Sequence, residues 1–99
     1  LGRLGQAEQI LRRAIEADEN FVPAWNNLGV VLMETGEVAE ASRVFKTAFA
    51  LDSGQSDSIR ENLRLALAKV ENPAYDAGNE EKFALVRRGQ GEYLLITKH

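Results

Sequence analysis

One histidine, His99, and no cysteine leave this chain of 99 residues few routes to chemistry. His99 is the terminal residue, and a frayed tail is the simpler reading of it than a ligand or a base. Serine and threonine hydroxyls need an adjacent base to become nucleophiles, and no internal histidine supplies one. Lysine chemistry needs a buried amine, whereas every lysine here sits in polar or amphipathic surroundings. Residues 88–92, RGQGE, carry the glycines of a phosphate-cradling loop. Such loops lead from a strand into a helix. Strand-like residues lie on both sides of this one, which favours a hairpin turn. Asp76, Glu80 and Glu81 lack the spacing of a metal loop and read as a solvated connector. These residue types predict no enzyme, no cofactor and no metal.

The elements that position side chains are therefore the informative part. The hydrophobic fraction of 44% and charged fraction of 27% are those of a small globular unit. A net charge of −3 argues against binding along a nucleic-acid backbone, which needs a basic stripe. No apolar run approaches the roughly 18 residues of a membrane span, so no membrane insertion is expected. The absence of cysteine leaves the redox compartment open. The first residue is Leu1, not Met, and the chain is expected to be a piece of something longer.

Sliding residues 2–18, GRLGQAEQILRRAIEAD, over 36–52, GEVAEASRVFKTAFALD, gives an offset of 34. It pairs Gly2 with Gly36, Ala7 with Ala41, Ile10 with Val44, Leu11 with Phe45 and Ala14 with Ala48. Trp25, Leu28, Val31 and Leu32 lie at helical spacing and form a broad apolar stripe. Gly29 falls inside that helix, where glycine costs about 1 kcal/mol relative to alanine. Close approach of a neighbouring helix is the reason to tolerate it. Gly36 follows Thr35 where the helix must stop, and suits a left-handed cap. Asn20 is expected to cap the helix that begins near Phe21, with Pro23 in its first turn. Ala41, Phe45 and Ala48 give the second helix a face to lay on the first.

A period of 34 residues with this signature resembles the tetratricopeptide repeat. In residues 22–55, Trp25 stands in the aromatic slot, Leu28-Gly29 in the large-small pair and Leu32 where the family often has Tyr. Gly36 takes the turn, and Ala41, Phe45 and Ala48 the second helix; the family's frequent Pro is replaced by Ser53. The resemblance implies a mainly α chain, an α-solenoid fragment. Residues 1–20 would be the second helix of a truncated repeat and 21–55 a complete repeat. The expected core is Ala7, Leu11, Ala14, Trp25, Leu28, Gly29, Leu32, Gly36, Ala41, Phe45 and Ala48. Truncating a fully buried Trp costs about 3–5 kcal/mol, so Trp25→Ala is expected to unfold this fragment or nearly so.

Residues 57–71, DSIRENLRLALAKVE, depart from the pattern. Asn27-Leu28 recurs as Asn62-Leu63 at an offset of 35, and Arg60 and Arg64 fall in the aromatic and small slots. Ile59, Leu63, Ala66, Leu67 and Val70 still give an amphipathic helix, so 56–71 reads as a terminal helix closing the stack. Asn72-Pro73 ends it. Residues 72–81 read as a linker, and 82–99, KFALVRRGQGEYLLITKH, as a β-hairpin around GQG. An isolated hairpin is marginal in water, so docking against the third helix is expected.

The resemblance further implies an interaction scaffold that binds a protein or peptide in a concave groove. Transferred to this sequence, the groove-facing slots are Asn26, Asn27, Val30, Met33 and Glu34. Side-chain amides can hold an extended peptide backbone through donor and acceptor, and Met33 adds an adaptable apolar contact. Arg60 and Arg64 could attract an acidic ligand, although Asp57 and Glu61 dilute their field. A subgroup of the family clamps the terminal carboxylate of chaperone tails. Asn27 matches its central asparagine, but Asp57, Ser58, Glu61 and Asn62 stand where its basic residues belong, which argues against a clamp. The alternative expectation is an architectural role in a larger assembly. A monomer is expected, with self-association through the hairpin as the other outcome.

Overall fold

The computed structural model describes residues 2–73, 87–88 and 92–93. Four helices run in chain order: α1 Arg3–Ala17, α2 Val22–Glu34, α3 Val38–Leu51 and α4 Asp57–Glu71. Each packs on the next, and α2 also meets α4. The core runs from Ala7 and Leu11 of α1 through Ala24, Leu28, Val31 and Leu32 of α2 to Val44 and Phe45 of α3 and Ala66 of α4.

Local chemistry sets the helix ends. Pro23 lies in the first turn of α2, where its missing N–H leaves no bond unmade. The N-cap position is Phe21, with no side-chain cap. Asn20, expected to cap α2, instead donates its backbone N–H to Asp18 Oδ1 at 3.0 Å, so the carboxylate shapes the turn. At the other end Gly36 adopts φ +87°. Its N–H donates to the Met33 carbonyl at 3.1 Å and that of Glu37 to the Leu32 carbonyl at 2.8 Å. This is the paired termination in which a left-handed residue satisfies the last free carbonyls. The same pattern ends α3, with Ser53 at φ 57° and bonds from Ser53 to Ala50 and from Gly54 to Phe49. Ser56 caps α4 by accepting the Ile59 N–H at 3.2 Å.

At the α2–α3 crossing, a β-carbon on Gly29 would stand 2.5, 2.7 and 2.8 Å from Cε1, Cδ1 and Cζ of Phe45. The aromatic ring occupies the notch that glycine leaves. Leu28, Leu32, Ala41, Ala48, Ala7 and Leu11 are buried, Ala14 is half-buried, and Gly36 is exposed at its turn. Trp25 is half-buried against the core rather than enclosed. Its indole N–H donates to the Glu19 carbonyl at 2.8 Å. Trp25→Ala is therefore expected to cost less than the ~3–5 kcal/mol of a fully enclosed aromatic.

The expected architecture of helices closed by a β-hairpin over 82–99 is corrected: the fold that residues 2–73 make is all-helical, and a hairpin over 82–99 is not supported. Of that segment only Arg87–Arg88 and Glu92–Tyr93 are described, two residues a side, with Arg87 opposite Tyr93 and Arg88 opposite Glu92. The expected docking against the third helix and the self-association through the hairpin lie outside the described residues.

Candidate functional site

The asparagines expected to face a ligand lie inside the molecule. Asn26 and Asn27 are each 0% exposed, as is Asn62 of α4. Asn62 Nδ2 donates to Asn26 Oδ1 at 2.9 Å, and Asn26 Nδ2 donates to Asn27 Oδ1 at 3.1 Å. The amides thus run as a chain from α4 onto α2. Among the described residues no buried side-chain nitrogen or oxygen lacks a hydrogen-bond partner. Leaving such a group unmet costs about 1–3 kcal/mol, which is why the three amides converge. Their helix is enclosed at seven consecutive positions, 26–32, so helical spacing alone separates no free face there. This corrects the expectation that Asn26 and Asn27 present their amides outward.

The rest of the expected groove set divides by exposure. Val30 is 6% exposed and belongs to the core. Met33 is half-buried and Glu34 exposed, both at the end of α2. On α4, Arg60 donates to the Gly54 carbonyl at 2.7 Å and pairs with Asp57. Arg64 grips Glu61, its Nε 3.1 Å from each carboxylate oxygen and its Nη2 2.5 Å from Oε2. Arg64 holds the Glu61 carboxyl below the ordinary range through these bonds, with burial opposing and charge attraction adding. Both arginines thus carry an acidic neighbour from their own helix. Exposed pairs of this kind contribute little, so they can be exchanged for a ligand's carboxylate but do not demand one.

A contact that sequence reasoning missed joins α1 to α3. Arg12 Nη2 donates to Glu40 Oε2 at 2.9 Å and its Nε to Glu8 Oε2 at 3.0 Å. The Glu40 bond raises the Arg12 pKa further above its ordinary value, burial opposing and Glu8 assisting. Arg12 is charged at any working pH, and its guanidinium ties the two helices together. The Glu8–Arg12 half was legible as an i, i+4 pair; the Glu40 half joins residues 28 apart and has no local signal. Asn62 did have one, the recurrence of Asn-Leu at 27–28 and 62–63.

Among the described residues no three His, Cys, Asp or Glu side chains group as a metal would need. No helix among them is long and apolar enough to cross a membrane. Stacked helices meshed through a glycine notch and an amide chain define a helical-repeat protein. The family model of the tetratricopeptide repeat matches residues 1–60, and the chain belongs to that family. Tetratricopeptide repeats are protein-interaction modules and typically non-catalytic. Tetratricopeptide repeat protein 7B of human and mouse is 42% identical over 53 residues, 54% of this chain and 6% of that protein. Cellulose synthase operon protein C of Komagataeibacter xylinus is 36% identical over 62 residues, 63% of this chain and 5% of that protein. Human tetratricopeptide repeat protein 5 is 28% identical over 85 residues, 86% of this chain and 19% of that protein. The chain thus spans a small share of each of these relatives. No solved structure matches it.

Proposed function

We propose that this chain is a segment of a repeat scaffold that binds a protein or peptide along the side-by-side helices α2 and α4. In this reading α1 is the second helix of one repeat, α2 and α3 make a complete repeat, and α4 is a divergent first helix closing the stack. The observation that carries it is the direct contact of α2 with α4 through Asn26 and Asn62 at 2.9 Å. First helices held together form one continuous surface, as a groove requires. Met33 and Glu34 are its accessible rim, and Asn26, Asn27 and Val30 are its closed floor. Arg60 and Arg64 add exchangeable charge for an acidic segment. The molecule acts as a monomer, without cofactor, and does no chemistry on what it binds.

A peptide library displayed on phage, selected against the 99-residue chain, tests this. Binders are then titrated against Met33→Glu and Glu34→Lys, with Arg43→Glu of α3 as the control. For an acidic binder Met33→Glu is expected to weaken binding by about tenfold, a loss of about 1.4 kcal/mol, and Glu34→Lys to strengthen it, while the control keeps it. Equal affinity for all three variants would place the ligand elsewhere.

A further inference from the structure

We infer that the side of α4 turned away from α2 is a docking face for a helix of a partner protein that offers a carboxylate to Lys46. The first three helices show how such a face is covered. α2 lies between α1 and α3, and its Leu28 and Leu32 are each 1% exposed. Arg12 of α1 reaches across to Glu40 of α3 at 2.9 Å. The same pattern starts again at α3. Lys46 of α3 is equivalent to Arg12 at an offset of 34, and Leu63 and Leu67 of α4 to Leu28 and Leu32 at an offset of 35. α4 packs on α3, yet Leu63 is only half-buried, and Leu67 and Val70 are 36% and 44% exposed. These three side chains stand at i, i+4 and i+7, a single stripe along the helix. Lys46 is exposed and has no ion pair among the described residues.

The chemistry of the occupant follows from placing it on α4 as α3 is placed on α2. A carboxylate where α3 has Glu40 meets Lys46, and an apolar stripe meets Leu63, Leu67 and Val70. Arg64 stands in the place of Gly29, whose missing β-carbon is what admits the Phe45 ring. The occupant therefore carries a small residue where α3 carries Phe45. A second copy of this chain would bring α1, the equivalent of α3. That helix has Gln6 in the place of Glu40 and Arg3 in the place of Glu37, so it offers Lys46 no carboxylate and adds positive charge. Charge thus selects a partner of different sequence over self-stacking. The face uses neither Met33 nor Glu34, so it stands or falls apart from the groove.

The test uses the 99-residue chain, labelled for NMR. The probe is a synthetic peptide of residues 36–52 carrying Phe45→Ala, the helix that plays this part for α2. Titration up to about 1 mM is expected to shift the amides of Lys46, Leu63, Leu67 and Val70 and to leave those of Met33 and Glu34 in place. Lys46→Glu in the chain is expected to weaken binding about threefold or more at low salt. A probe that also carries Glu40→Lys should recover most of that loss, which a purely apolar contact would not do. Leu67→Glu is expected to weaken binding about tenfold or more. Should Lys46→Glu not fold, the Glu40→Lys probe against the parent chain decides by the same loss. No shift at about 1 mM, shifts outside this face, or equal affinity of the probe for Lys46→Glu and the parent overturns the proposal. So does a parent that self-associates and becomes monomeric with Leu67→Glu, which gives the face to a second copy. A Leu67→Glu variant whose amides over 74–99 shift without peptide also overturns it, and gives the face to this chain's own segment.

Discussion

Gly29 shows how a residue that is poor for its helix can be right for the fold. Alanine there would gain about 1 kcal/mol of helix propensity. Its β-carbon would, however, meet the Phe45 ring at 2.5 to 2.8 Å, and Phe45 is enclosed on all sides. Overpacking of this kind costs about 1–3 kcal/mol, so contact outweighs propensity. Gly29→Ala is expected to destabilise by about 1 kcal/mol, lowering Tm by about 4–8 °C. Phe45→Leu, which gives α3 the residue α1 carries at Leu11, should reverse the sign of the Gly29→Ala effect by emptying the notch. Thermal melts of the two singles and the double decide it, and a Gly29→Ala variant that melts higher in the parent would contradict the notch. This contact was legible in the sequence because a glycine inside an apolar helical pattern costs propensity that only a close neighbour can return. The enclosure of Asn26 was not. A polar residue beside a stripe reads as surface unless its partner is known, and that partner lies on another helix, 36 residues on.

At the scale of elements, the helices and their stops were legible from the spacing of apolar residues and from Gly36, whose φ of +87° is what a left-handed stop requires. Most of the C-terminal segment lies outside the described residues. α4 is where charge rather than apolar area can be tested. Arg60 and Arg64 replace the aromatic and small residues of the repeat pattern, and each pairs with a carboxylate three residues earlier. Arg64 lowers the Glu61 pKa from the ordinary 4.5 chiefly by hydrogen bonding. The sign follows from linkage: a carboxylate with a depressed folded pKa stabilises the fold above its ordinary pKa. That contribution is lost as pH falls through the lower, folded value. Side-chain NMR titration should find that Glu61 protonates at lower pH in the parent than in Arg64→Gln. A midpoint unchanged by the substitution would remove the bond as the cause.

For the whole molecule, repetition makes a comparison that no single helix allows. Ile10 of α1 and Val44 of α3 are equivalent positions at an offset of 34, yet Ile10 is 50% exposed and Val44 7%. Their neighbours Leu11 and Phe45 are both buried. The repeat assigns Ile10 and Val44 the same role; the environment of each is set by what its helix packs against. α3 lies between α2 and α4, whereas α1 packs on α2 alone among the described helix pairs with extensive contact. Lysine separates the two cases. Val44→Lys places an ammonium group at a position that is 7% exposed, a change of about 3–5 kcal/mol. Against a total stability of about 5–15 kcal/mol that brings the chain to the edge of unfolding. Ile10→Lys keeps its charge in water, and its effect should stay within about 0.5 kcal/mol. Urea midpoints of the two variants are therefore expected to differ widely despite identical chemistry at equivalent positions. Losses of equal size would mean that the Ile10 side of α1 is covered, and that the four helices pack differently from the stack described.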